Sequence, residues 1–312
     1  MKTFFLKIVI SLLLIYFVFS KVGSKHIYHV LVGADPRYII VAIIISMVAL
    51  FINTLSWKAL LYYTGIKKNI FSLFSLNLKG VFYSTILPGG PVTGDVIKLY
   101  KSLHLSDKKN PIVLSVIIDR AMGLVASTFL AIIGLTFTTS TFSEKKTIGL
   151  FLYLMAAGCL FFLACFIPFI NDFFSRAIRK VRGSFVTTLT ESIQIYRGKY
   201  KALFLSFISS TFFHILYILG AFLLARSLAI HVSVADIAWA LIIINIAIFV
   251  PISIAGLGVR ELGFSYLFGL LGINAAQATS LSLLLFVAGL ANMALGGLLE
   301  LTDHFYFFRA KK

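Results

Sequence analysis

Long apolar runs return along the whole chain, at residues 4–19, 38–57, 111–137, 148–170, 202–225, 237–250 and 275–299. Short polar segments, most of them basic, separate them. A bilayer core about 30 Å thick needs roughly 20 helical residues to cross it. Lipid cannot hydrogen-bond a bare backbone, so such runs must be helices that satisfy their own N–H and C=O groups. The pattern predicts an all-α, polytopic integral membrane protein with seven or eight hydrophobic segments. Residues 1–20, with Lys2 and Lys7 ahead of an apolar core, read as a retained first span, because no small-x-small cleavage site follows.

Two stretches break this pattern. Residues 86–95 read ILPGGPVTGD and residues 250–261 read VPISIAGLGVRE. Proline removes a backbone donor and glycine loosens the chain, so each stretch should interrupt a helix. Broken backbone at membrane depth is tolerated only inside protein or beside a wet cavity. One break in each half of the chain is the pattern of a transporter binding site built on an inverted repeat. The stretch 71–100 is expected to enter and leave on one side, turning at Pro88. Residues 237–271 are expected to do the same from the other side, turning at Pro251. The two breaks should then meet in mid-membrane.

Composition narrows the class further. Of 312 residues, 60% are hydrophobic and 12% charged, which leaves no stretch large enough for a separate soluble domain. One membrane domain is expected over residues 1–312, with halves at 1–170 and 203–312 joined by a basic loop, 171–201. The net charge of +17 could suggest nucleic acid, but its placement argues against that partner. With the N-terminus inside, external segments hold only Lys21, Lys25, Arg37, Lys145, Lys146 and Arg226, against nineteen Lys and Arg in cytoplasmic ones. This is the positive-inside bias of a cell-membrane protein with both termini in the cytoplasm. Its basic loops would meet anionic headgroups. Cys159 and Cys165 share one span and suggest neither a disulfide nor a metal site. No cofactor is expected.

Several ionisable groups remain inside the apolar runs: Lys79, Arg120 and Arg260, with Asp95, Asp119, Glu261 and Glu300. Such charges are costly in lipid and mark function or a locking salt-bridge network. Asp119 and Arg120 diverge by about 100° on a helix, so each needs a partner elsewhere. Asp95, Lys98, Arg260 and Glu261 flank the two breaks, where freed amides favour an anion. The expected site therefore comprises Lys79, Pro88, Gly89, Gly90, Gly94, Asp95, Lys98, Asp119, Arg120, Pro251, Gly256, Gly258, Arg260 and Glu261. Arg120, Arg260 and Lys98 would hold a lipid phosphate, while Asp95, Asp119 and Glu261 position those cations or relay protons. The alternative is that the same charges serve only to lock helices together.

On these residues the chain resembles the lysylphosphatidylglycerol synthase transmembrane and flippase-like domain family, including the UPF0104 and dolichol-phosphate-glucose synthetase-like membrane proteins. The pieces that carry the resemblance are Leu87 to Gly90 with Gly94, Asp95, Lys98 and Tyr100; Asp119 and Arg120 with Gly123 and Leu124; and the stretch from Pro251 to Glu261. The resemblance implies a multi-span inner-membrane domain that moves a lipid between leaflets. Some relatives carry a C-terminal soluble synthase; this chain runs to Lys312 and is expected to lack one, so a separate lipid-modifying synthase becomes a possible partner. Lys98 stands where relatives often have arginine, and a lysine cannot clamp phosphate bidentately.

Three function classes compete. The first is a lipid translocase for an anionic phospholipid or a polyprenyl-phosphate-linked lipid. The second is a membrane-embedded lipid-modifying enzyme, or the membrane partner of a lipid synthase. His26 and His29 in a small external loop, His104 and the lone span residue His214 form no catalytic pattern for it. The third is a small-solute or ion transporter using the same broken-helix site. No P-loop occurs, so movement would run downhill or on an ion gradient.

Overall fold

In this computed structural model every regular element among the described residues is an α-helix. Described are residues 12–14, 16–18, 20, 22–87, 89–103, 109–167, 193–249, 253 and 255–309, with 304–309 as backbone only. Pro88, Pro251 and His104, most of the first predicted span and most of the basic loop lie outside the described residues.

After helical residues between 12 and 22 comes α1 (Ser24–Val32), followed by the long α2 (Pro36–Tyr63). A pair of shorter helices, α3 (Ile70–Ile86) and α4 (Gly90–Ser102), comes next. Then come α5 (Lys109–Phe137), α6 (Lys145–Ala164) and α7 (Tyr200–Ser227). A second short pair, α8 (Val234–Phe249) and α9 (Val259–Leu270), precedes the last helix, α10 (Ala275–Arg309). Five helices, α2, α5, α6, α7 and residues Ala275–Asp303 of α10, are long and apolar enough to cross a membrane. Each covers one of the predicted runs, except that α6 ends at Ala164, short of the end of the run 148–170. Asp35, a lone acid in the sequence, caps α2: its carboxylate accepts from the Arg37 N–H at 2.9 Å, with Pro36 as the first helical residue.

The small loop expected around His26 and His29 is helical instead: Ile27, Val30 and Leu31 share a face and fold 24–32 into α1, which buries Ile27. Tyr196 is fully buried, and its hydroxyl donates to the Leu60 carbonyl at 3.2 Å.

The two short pairs are the broken segments. Their helices have 17 and 13 residues, and 16 and 12. At about 1.5 Å per residue the longest reaches about 26 Å, short of a full crossing. In each pair the arms pack on one another, so both are helix–break–helix hairpins. The backbone leaves the helical region at each break: Gly89 has φ 115°, and Ala255, Gly256 and Gly258 have φ 51°, 72° and 83°. Only glycine takes such values without strain, which explains why each break is glycine-rich.

Small residues let the arms close. A Cβ on Gly94 would strike the Gly80 carbonyl and come within 2.8 Å of the Ser84 Cβ, so α3 and α4 touch backbone to backbone. Gly296 of α10 meets the Leu78 carbonyl of α3 in the same way. Gly289, two turns earlier on the same helix, faces open space. The two halves interlock: α2 packs on α7, α5 on α8, and α3 on α10. Trp239, Phe264 and Phe268 sit fully buried in the core that α5, α7, α8, α9 and α10 share.

Candidate functional site

Asp119 and Arg120 lie near the middle of α5, about 16 Å along the axis from its first residue. As consecutive helical residues they point about 100° apart, and each finds a different partner. Asp119 faces inward. Its carboxylate accepts from the Ser56 hydroxyl at 2.5 Å, and Ser56 meets the Ser206 and Ser210 hydroxyls at 2.8 and 3.3 Å. The Lys98 ammonium of α4 stands 4.0 Å from the same carboxylate and 3.9 Å above the Trp57 ring. The Trp57 indole N–H donates to Ser115 at 3.0 Å. All of these side chains are buried, and they tie α2, α4, α5 and α7 into one polar knot. Lys98 is enclosed there, with its charge taken up by Asp119 and the aromatic face.

Arg120 points elsewhere. It pairs with Asp95 of α4, and its guanidinium lies 5.8 Å from the ring of Phe249, the last residue of α8. The first hairpin and the start of the second break therefore meet at this one side chain, and α4 also packs against α8 directly. Arg120 keeps 45% of its side-chain surface open, although it lies mid-span.

The second break builds its own cluster. The Glu261 carboxylate turns back to accept from the Gly258 N–H at 2.6 Å, closing the N-terminus of α9. Its other oxygen takes the Arg260 Nη2 at 2.6 Å and the Ser282 hydroxyl at 3.0 Å; Arg260 Nε also donates to Ser282 at 2.9 Å. The guanidinium sits 4.8 Å from the Phe286 ring. The amides freed at this break are thus occupied partly by the chain's own acid, not left for a ligand. Gly94 likewise serves hairpin closure, and Gly256 and Gly258 serve the turn.

One turn of α7 runs alongside both arginines. His214 lies beside the Gly123 carbonyl within electrostatic reach of Arg120. Tyr217 lies within reach of Arg260 and donates to Asn245 at 3.4 Å. Lys79 is elsewhere, paired with Asp303 of α10. Pro88 and Pro251 are outside the described residues, while Gly89 and Gly90 open α4. Sequence reading missed Ser56, Trp57, Phe249, Ser282 and Phe286. A Ser206–Ser210 pair at i, i+4 in an apolar helix was the one available hint. Among the described residues no cluster of His, Cys, Asp or Glu could hold a metal ion.

Five membrane-length helices, two shorter helical hairpins that meet at Arg120, and the buried polar clusters between them define a polytopic helical membrane protein with a polar centre. Residues 4–297 match the model of the family described as the lysylphosphatidylglycerol synthase TM region, and the chain belongs to that family. It is similar to the UPF0104 membrane protein MJ1595 of Methanocaldococcus jannaschii, with 27% identity over 116 residues. That match covers 37% of this chain and 34% of the relative, so it spans about a third of that protein's length. No solved structure matches the chain.

Proposed function

We propose that this protein carries an anionic lipid, a phospholipid or a polyprenyl-phosphate-linked lipid, between the leaflets of the cell membrane. The observation that carries the reading is Arg120: a cation well inside a membrane-length helix, held by Asp95 on one side and open on the other, where the two hairpins meet. A guanidinium so placed can exchange part of its carboxylate contact for a phosphate, while the lipid tails stay in the bilayer. Asp95 holds the guanidinium in place in the absence of lipid. Lys98 and Asp119, enclosed behind it, fix α4 against α5. Arg260 and Glu261 hold the second hairpin in shape. Both termini lie in the cytoplasm on this reading, following the basic bias of the loops. The family's name, that of a synthase membrane region, supports a lipid-synthesising enzyme as the source of the substrate.

The test uses purified protein in vesicles bearing headgroup-labelled lipids, with an impermeant quencher outside. Anionic lipids should equilibrate between leaflets faster than zwitterionic ones, and labelled polar solutes should stay put. Arg120→Gln should abolish the movement and Arg120→Lys should retain part of it, in protein that unfolds at the wild-type temperature. Wild-type lipid movement by a folded Arg120→Gln variant would refute the assignment. Movement of solutes instead of lipids would favour a solute transporter, and turnover of a lipid donor would favour an enzyme.

A further inference from the structure

A second ionic cluster, unused by the site above, joins α10 to the first hairpin. Glu300 is 8% exposed. Its Oε1 accepts from the Lys101 ammonium at 2.7 Å and from the Tyr83 hydroxyl at 3.1 Å. Its Oε2 is equally buried and has no hydrogen-bond partner among the described residues. One turn further along α10, Asp303 pairs with Lys79. All three partners belong to the hairpin: Lys79 and Tyr83 to α3, Lys101 to α4.

The charge balance here is uneven. A structural ion pair in a dry site satisfies both carboxylate oxygens, because an unbonded buried oxygen bears its whole desolvation cost. At Glu300 one oxygen is fully engaged and the other is bare among the described residues. Asp303, by contrast, has 60% of its side chain open, so its pair with Lys79 can be reached by water. The described ionisable groups that bond to Glu300 are Lys101 from α4 and Tyr83 from α3; Asp303, one turn along α10, pairs with Lys79 of α3. From α9, Arg260 and Glu261 meet α10 only at Ser282, about five turns away. From α2, the contacts to α10 are neutral, Ser46 to the Ala288 carbonyl and Asn292 to Ser46.

We propose that Glu300 is a proton-binding site whose occupancy loosens the first hairpin from α10. The proton adds to the bare Oε2 and the carboxylate becomes a neutral acid. No covalent bond other than this O–H forms or breaks. Lys101 then loses its counter-charge and, with 26% of its side chain already open, withdraws to water. Lys101 and Asp95 lie on the same 13-residue helix, so movement of α4 at one end displaces the partner of Arg120 at the other. Only this last step, the coupling of proton uptake to lipid movement, rests on the carrier reading.

The experiment places spin labels at two exposed positions, Tyr100→Cys on α4 and Leu301→Cys on α10, in a background with Cys159 and Cys165 replaced by alanine, in nanodiscs. Lowering the pH should widen the label separation by about 1–5 Å, the range from small helix shifts to one-turn ratchets in known switches. The infrared carboxylic-acid C=O band should grow in parallel. Glu300→Gln should hold the wide separation at every pH and lack the band, while Glu300→Asp, which keeps the acid, should still respond. A separation that ignores pH in the wild type, or a Glu300→Gln variant that responds like it, would overturn the proposal. Vesicles with a proton gradient complete the test. If the labels respond but no lipid moves, the proton site stands and the carrier reading fails. If lipid moves equally with and without the gradient, the coupling fails.

Discussion

Removing the charge of Asp119 should be among the most damaging single changes to this protein. In Asp119→Asn the Lys98 ammonium keeps only the Trp57 face and loses a carboxylate 4.0 Å away. Two unit charges at that distance attract by about 4 kcal/mol at an effective dielectric of about 20. Breaking a buried pair by removing one partner costs roughly 3–5 kcal/mol, which agrees. The asparagine can still accept from Ser56, so that hydrogen bond gives little further loss. Lys98→Met/Asp119→Asn removes both charges and should regain most of the stability, because replacing a whole buried pair by neutral groups is nearly free. Equilibrium unfolding in mixed micelles, followed by the fluorescence of Trp57 and Trp239, measures the double-mutant cycle. A loss below about 1 kcal/mol in the single variant, or losses that simply add in the double one, would show that the pair does not hold α4 to α5.

Two contrasts test the hairpins. Glu261→Gln keeps the shape of the side chain but leaves Arg260 buried without its counter-charge and weakens the bond to Gly258; a loss of roughly 3–5 kcal/mol is expected in the same unfolding assay. Gly296→Ala should destabilise by about 1–3 kcal/mol, because its methyl group would strike the Leu78 carbonyl, whereas Gly289→Ala, facing open space on the same helix, should not. Equal effects of the two alanines would remove the case for close packing of α3 on α10.

The hairpins were legible in the sequence because proline and glycine act on backbone geometry locally, whatever surrounds them. The pairing at Asp119 and Arg120 was legible only in part. Adjacent helical residues must diverge, so the need for separate partners was evident, and Lys98 and Asp95 were already among the candidates. Adjacency did not prevent pairing at Arg260 and Glu261, because a residue in the first helical turn can fold its carboxylate back over the open N-terminus. The contrast between the two neighbouring pairs is one of position: mid-helix at 119–120, helix start at 260–261.

Hydrophobic periodicity and charge placement along the chain determined the class of this protein, its long helices and the position of its breaks, since these depend on how a short segment meets lipid or water. Which charges face inward and which stay open was decided only by tertiary packing. Lys98 and Arg120 look alike as cations near a broken helix; one is sealed between Trp57 and Asp119 and the other opens where two hairpins meet. That difference comes from how α2, α4, α5 and α8 are assembled, through contacts between residues far apart in the chain. No local pattern encodes them.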